Sequence, residues 1–366
     1  MTKNQTLRQT ALVALLATSA ALAACGGGGG GAPTAASGPS PSTPSPSTPA
    51  AVVAPAGTLK DAIPAATYAD NSLQLSAFNA LNQARKYAGA GLIAQSAALD
   101  TAAEAHAKYL TTNINTVFTA GAHIEDPSKP DFYEATLATR MAKAGFNLGS
   151  YGSEVVGGTG ASRLGADCIW GLLGTVYHAA ALLGQATNIG FGFGRDTANV
   201  PMCVADFGSL GTENYPQVAP AGQIVAYPYD GQTGVLYSFD IASEVPRPPV
   251  ALFPSATSGT PVIVSVRNAD FVNFKAAGTL NAVVTKFEMK DASGNIVPAG
   301  ILASPGIAGS GVTMTADPML AEGFLVLVPF APLIKGATYT VNFNATLRGG
   351  GAPLNKVWSF VSDRDR

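Results

Sequence analysis

The run Tyr177-His178-Ala179-Ala180-Ala181-Leu182-Leu183, followed by Thr187-Asn188-Ile189-Gly190-Phe191-Gly192-Phe193-Gly194, decides the reading of this chain. A small-residue helix leads into a strand whose glycines fall on alternate positions, and therefore on one face of the pleat. Glycine on one face admits a close neighbour there. Downstream, Cys203-Val204-Ala205-Asp206-Phe207-Gly208 reads as a partner strand. Upstream, Leu164, Ile169, Leu172, Leu173, Val176 and Leu182 give one long helical stretch from about Ser162 to Leu183. Further back, Asn71 or Ser72 caps a helix carrying Leu75, Phe78 and Leu81 and ending near Gly89. A second helix starts near Ser96 with Leu99, Ala103, His106 and Leu110 on one apolar face, so His106 reads as a buried, hydrogen-bonded core histidine. Asp131 precedes a third helix with Leu137 and Met141 that closes at Gly145.

These segments resemble a known family. Leu81-Asn82-Gln83-Ala84-Arg85 and Ala105-His106-Ala107 are similar to the opening helices of the CAP superfamily (cysteine-rich secretory proteins, antigen 5, pathogenesis-related 1). The run from Tyr177 to Leu183 and the strand Thr187 to Gly192 resemble its Gly-His-Arg-x-Asn-Ile-Leu segment and the Gly-x-Gly strand after it. The resemblance implies a three-layer α-β-α sandwich over residues 68–210. It also implies a cleft of two His and two Glu: His123 after Ala122, Glu134, Glu154 within Ser153-Glu154-Val155, and His178. The surroundings depart from the family: Ala122 replaces Ser, Ser153 and Val155 replace Gly and Asn, and Ala179 and Ala181 replace Arg and Asn.

Taken alone, the four residues have plainer readings. Glu134 completes a capping-box-like turn after Asp131. His123 sits in the polar loop from Gly121 to Lys129, His178 packs within a small-residue helix, and Glu154 is a strand-edge charge. If they converge, two imidazoles and two carboxylates suit a divalent ion, zinc first, with copper or nickel able to compete. Other chemistries lack their signatures: Gly-x-Ser-x-Gly, His-Glu-x-x-His and a Walker loop are absent, and Gly157-Gly158-Thr159-Gly160 reads as a flexible loop.

The chain has 366 residues, 12 % charged and 47 % hydrophobic, with a net charge of −2. Low charge without a basic run argues against nucleic acid as a partner. The N-terminus reads as an export signal over residues 1–24: Lys3 and Arg8 precede the uncharged run Ala11 to Ala21. Leu22-Ala23-Ala24-Cys25 resembles the lipobox of bacterial lipoproteins, which implies acylation of Cys25 and anchoring in the cell envelope, the outer membrane where the host has one. Residues 25–57, with six consecutive glycines and then Pro-Ser-Thr repeats, read as a tether reaching roughly 30–90 Å. Cys168 and Cys203 remain, and in an exported chain that pair points to a disulfide, against the alternative of two unpaired buried cysteines.

From about residue 218 to 366 the pattern changes to Val/Thr/Phe/Tyr alternation with Gly, Pro, Asn and Asp between runs. Gln223–Tyr229, Gly234–Phe239, Val262–Val266, Ala282–Met289, Phe324–Phe330, Thr338–Phe343 and Val357–Val361 read as strands, without long helices. Tyr339, Val341 and Phe343 alternate with polar residues, as in a sheet with one wet face. Leu333 to Val341, then Pro353-Leu354 and Trp358-Ser359-Phe360, resemble the closing strands of bacterial Ig-like domains. The expected fold class is α+β: a CAP sandwich followed by an all-β Ig-like sandwich. The function this implies is non-enzymatic binding of a lipid, sterol-like or protein ligand. The alternatives are a metal-dependent hydrolase with a cleft Glu as base, or an adhesin or structural protein acting through the Ig-like region.

Overall fold

In the computed structural model, residues 58–113, 121–158, 164–213, 217–276 and 282–365 are described. The signal segment 1–24, Cys25 and the tether 25–57 lie outside them. Helix α1 (Leu73–Ala88) begins where the Ser72 hydroxyl accepts from Leu75 N and ends at Gly89, whose φ of 82° is the left-handed C-cap conformation. Helix α2 (Ala97–Thr112) is capped by Ser96 in the same way. Helix α3 (Leu137–Lys143) starts later than Asp131 suggests. Asp131 adopts φ 57° and its carboxylate is taken by Lys108 and Thr112, so the chain turns there, and a Thr136/Thr139 capping box opens the helix instead.

The long stretch expected up to Leu183 is two short helices, α4 (Ala166–Leu173) and α5 (Tyr177–Leu182). The break falls at Gly174, where a Cβ would meet Leu236 at 2.6 Å, so the C-terminal region presses on the chain at that point. Strands β1 (Ala94–Gln95), β2 (Leu148–Gly158), β3 (Asn188–Arg195) and β4 (Pro201–Leu210) form a sheet in the order β1-β3-β4-β2, with only the β1–β3 pair parallel.

The alternate glycines act as expected. A Cβ on Gly190 would lie 2.1 Å from Leu99 C and Asp100 N, and one on Gly192 2.0 Å from Ala103 O, so α2 lies directly on that face. Ile189, Phe191, Cys203, Ala205 and Phe207 point to the other face and pack with residues of α1, α4 and α5. Arg85, fully buried on α1, donates to the carbonyls of Ala90, Gly91, Leu182, Gly184 and Ala186, tying the chain after α1 to the chain after α5. Cys168 on α4 is bonded to Cys203 on β4, with Cα atoms 6.5 Å apart.

The C-terminal region contains two larger sheets. Strands β5 (Val225–Tyr227), β8 (Val262–Ser265), β10 (Ala299–Ala303), β12 (Thr315–Ala316) and β13 (Phe324–Pro329) pair in the order β12-β10-β13-β8-β5. Strands β9 (Ala282–Lys290), β11 (Ala308–Gly309), β14 (Ala337–Leu347) and β15 (Leu354–Ser362) pair in the order β11-β9-β14-β15. A two-stranded pair, β6 (Phe239–Asp240) and β7 (Thr257–Ser258), and a helix α6 (Ala269–Ala276) that the sequence pattern does not announce complete the region.

One apolar cluster crosses both regions. Val225, Tyr227, Ile263, Leu302, Phe324, Val326 and Val328 of the five-stranded sheet join the core under α1, α4 and α5. The opposite face of that sheet, with Ala226, Val262, Val264, Leu325 and Leu327, packs against Phe287, Met289, Val341, Phe343 and Trp358 of the four-stranded sheet. The described residues, from Thr58 to Asp365, belong to one compact unit. No helix among the described residues is long and apolar enough to cross a membrane.

Candidate functional site

The site grows from strand β2. Glu154 there is directly opposite Asp206 on β4, and both are buried. Arg140 of α3, fully buried, sets its Nη2 2.7 Å from Glu154 Oε2 and reaches His123 O at 3.3 Å. His123 Nδ1 lies 2.7 Å from Glu154 Oε1, while its ring stays about half exposed. Behind this pair, His106 of α2 is buried with Nδ1 2.8 Å from Glu125 Oε1 and Nε2 2.8 Å from Ala122 O, and Glu125 Oε2 accepts from Tyr133 N. His106 Nε2 is also 3.6 Å from Glu154 Oε1.

Burial by itself pushes the Glu154 carboxyl up, but the His123 hydrogen bond and the charges of His106 and Arg140 outweigh it and bring it down to about 2. Asp206 goes the other way, raised well above the usual carboxylate range by burial and then by the Glu154 charge. Among the described residues neither oxygen of Asp206 has a donor, whereas both oxygens of Glu154 do.

On the other side of the cleft, His178 stands at the start of α5. Its Nδ1 lies 3.1 Å from Oε1 of Glu244, a buried acid from the C-terminal region. The same carboxylate accepts from the main-chain N–H groups of Val176, Tyr177 and His178, at 3.0, 2.6 and 3.3 Å. These are donors that the first turn of a helix leaves without partners, so α5 is capped from another part of the chain. Next to it, Tyr177 Oη donates to Asp317 at 2.7 Å. Glu244 and Asp317 thereby hold two C-terminal segments over the cleft.

His123, Glu154 and His178 line one cavity of about 400 Å³, together with Tyr151, Tyr177 and Ala181. The same lining includes an apolar set from the C-terminal segments: Val245, Pro246, Pro318, Met319, Leu320 and Ala321. Glu134, the fourth member expected from the sequence, is not part of this lining. It sits just before α3, partly exposed, with Lys143 Nζ at 3.5 Å. The acid that packs behind the site is Glu125, two residues after His123 and without a distinguishing local pattern. Arg140, Glu125, Asp206, Glu244 and Asp317 escape a reading by motif, since each contributes through a contact distant in sequence. His106 is the buried core histidine expected, and it also sits against Glu154.

The donor set fits a divalent ion poorly in this arrangement. Both Glu154 oxygens are engaged, by His123 and Arg140, so that carboxylate has no oxygen left over for an ion. Among the described residues no three His, Cys, Asp or Glu side chains group as they would round a metal.

Residues 78–207 match the family model "CAP: Cysteine-rich secretory protein family". No curated protein matches the chain. Among solved structures, an outer surface protein from Borrelia burgdorferi is similar at 20 % identity over 36 % of this chain and 89 % of that one, with a TM-score of 0.28. Residues 78–207, the part matched by that family model, contribute His123, Glu154 and His178 to the cavity described above.

Proposed function

We propose that this is an exported, envelope-anchored binding protein whose cleft takes a ligand with an apolar body and one polar end, such as a lipid or sterol-like molecule or an apolar segment of a protein. The observation that carries this reading is the mixed lining of the cavity, in which His123, Glu154 and His178 stand with Val245, Pro246, Pro318, Met319, Leu320 and Ala321. Such a lining suits a mostly apolar guest oriented by a few polar groups. Val245 and Met319 of this lining are 68 % and 58 % exposed.

Binding is favoured over hydrolysis by the state of Glu154. A carboxyl held at about 2 by Arg140 and His123 is a weak general base at neutral pH. Export is supported by the CAP domain and by the disulfide, and anchoring by the lipobox-like Leu22-Ala23-Ala24-Cys25. The tether of residues 25–57 would hold the folded part clear of the membrane. The two-sheet region, read as Ig-like, contributes the roof of the cleft in this account.

Native mass spectrometry of the full-length protein, incubated with an envelope lipid extract, tests the reading. A bound apolar molecule is expected in the wild type and is expected to be lost in Ala181→Trp, whose indole would fill the cavity. An empty wild type refutes it. Cys25→Ser should move the protein out of the membrane fraction, and unchanged fractionation with normal processing refutes the anchor.

A further inference from the structure

The polar partners of His178 are unusually one-sided. Nδ1 faces Glu244 Oε1 at 3.1 Å and Thr175 Oγ1 at 3.2 Å. The Glu244 carboxylate, accepting three main-chain N–H groups, is an acceptor. The Thr175 hydroxyl spends its own proton on Leu172 O at 2.7 Å, so towards His178 it too can only accept. Two acceptors at one nitrogen place the proton of the neutral ring on Nδ1, which leaves Nε2 with its lone pair. Thr175 and Glu244 line a separate small cavity of about 60 Å³ beside His178, and neither lines the large cleft, although His178 does. The ring therefore turns its Nδ1 edge to the small cavity and its opposite edge, with Nε2, towards the cleft.

We propose that Glu244, contributed by the C-terminal region, is a positioning residue that sets what the cleft recognises: by holding the His178 proton on Nδ1 it leaves Nε2 as an acceptor, so the cleft selects apolar ligands whose polar end is a hydrogen-bond donor, an alcohol or an amine. This rests on the binding function proposed above and adds the chemistry of the ligand's polar end. It also gives the C-terminal region a role in recognition, through one carboxylate 66 positions from the histidine it orients.

Two fluorescent probes of nearly equal shape separate the possibilities: 1-pyrenemethanol, which has a donor, and its methyl ether, which has none. With the full chain, the alcohol should bind about five- to tenfold more tightly than the ether, the worth of one satisfied hydrogen bond. In Glu244→Gln, whose amide can accept from or donate to Nδ1, that ratio should fall to about twofold or less. Nitrogen-15 NMR of the histidines should show His178 as the Nδ1–H tautomer in the wild type and as a mixture in Glu244→Gln. Lys290→Ala, which removes an exposed ion pair with Glu288 on the four-stranded sheet and touches neither cavity, should keep both the ratio and the tautomer.

An unchanged ratio in a folded Glu244→Gln protein would place the preference elsewhere, for example at His123, and overturns the proposal. So does an Nε2–H tautomer in the wild type, which decides the matter even if Glu244→Gln does not fold. Failure of the wild type to bind either probe instead overturns the apolar-ligand reading, while the NMR result still judges the orientation of His178.

Discussion

Glu154 and Asp206 are directly opposed on neighbouring antiparallel strands, both buried, yet Arg140 and His123 bond only to Glu154. Like charges directly opposite one another destabilise a strand pair. The asymmetry eases the conflict: the acid with cationic and hydrogen-bonding partners is pushed towards its charged form, and the one without them towards its neutral form.

The pair gives opposite pH dependences. The folded-state value of Glu154, about 2, is below its unfolded value of roughly 4.3, so its contribution is present above about pH 4.5 and is lost as pH falls towards 2. Glu154→Gln should lower stability by about 3 kcal/mol at pH 7 and flatten the acid limb of a urea-denaturation series. Asp206 is raised, so its cost sets in as pH climbs above its unfolded value of roughly 3.9. Asp206→Asn should therefore stabilise the protein at pH 7 and lose that advantage below about pH 4. An Asp206→Asn variant less stable than the wild type at pH 7 would contradict the upward shift of Asp206.

Arg85 should tolerate no replacement. Its guanidinium serves five main-chain carbonyls in the core, and burial draws it down only to about 10, so it remains charged at neutral pH. Lysine has fewer donors and no planar fork. Arg85→Lys would leave buried carbonyls without partners, at a cost of about 2–4 kcal/mol in chemical denaturation.

The glycines of β3 differ in kind. In Gly190→Ala or Gly192→Ala the new methyl meets the backbone of α2, which cannot move aside alone, and a loss of about 3 kcal/mol is expected for each. At Gly194 the nearest atom is Thr111 Cγ2 at 2.9 Å, a side-chain methyl that can turn away, so Gly194→Ala should cost about 1 kcal/mol. Equal thermal shifts for the three variants would show that α2 does not rest on the strand as described.

The Cys168–Cys203 bond spans 35 positions and joins α4 to the sheet. In the chain-entropy treatment, closing such a loop is worth about 3–4 kcal/mol. The double variant Cys168→Ser/Cys203→Ser should lose about that much, read from urea midpoints at constant slope.

Local chemistry determined a good part of this protein in the sequence alone. The serines at 72 and 96, the left-handed Gly89 and the glycines at 190 and 192 act within a turn or across one face, and each does in the structure what its pattern implies. The alternation of Tyr339, Val341 and Phe343 likewise reports a sheet wet on one side. The unbroken burial of Phe324–Pro329 reports something else: its strand is covered by helices on one face and by a second sheet on the other, and the pattern of one strand does not identify the layers that cover it. Tertiary structure also decided the break at Gly174, the placing of Glu125 behind the site while Glu134 stays outside it, and the capping of α5 by Glu244. The reason is range. A cap or a periodicity is set by neighbours a few residues away, whereas a buried carboxylate finds its donors wherever the packed core brings them, and for His178 and Glu244 that is 66 positions along the chain.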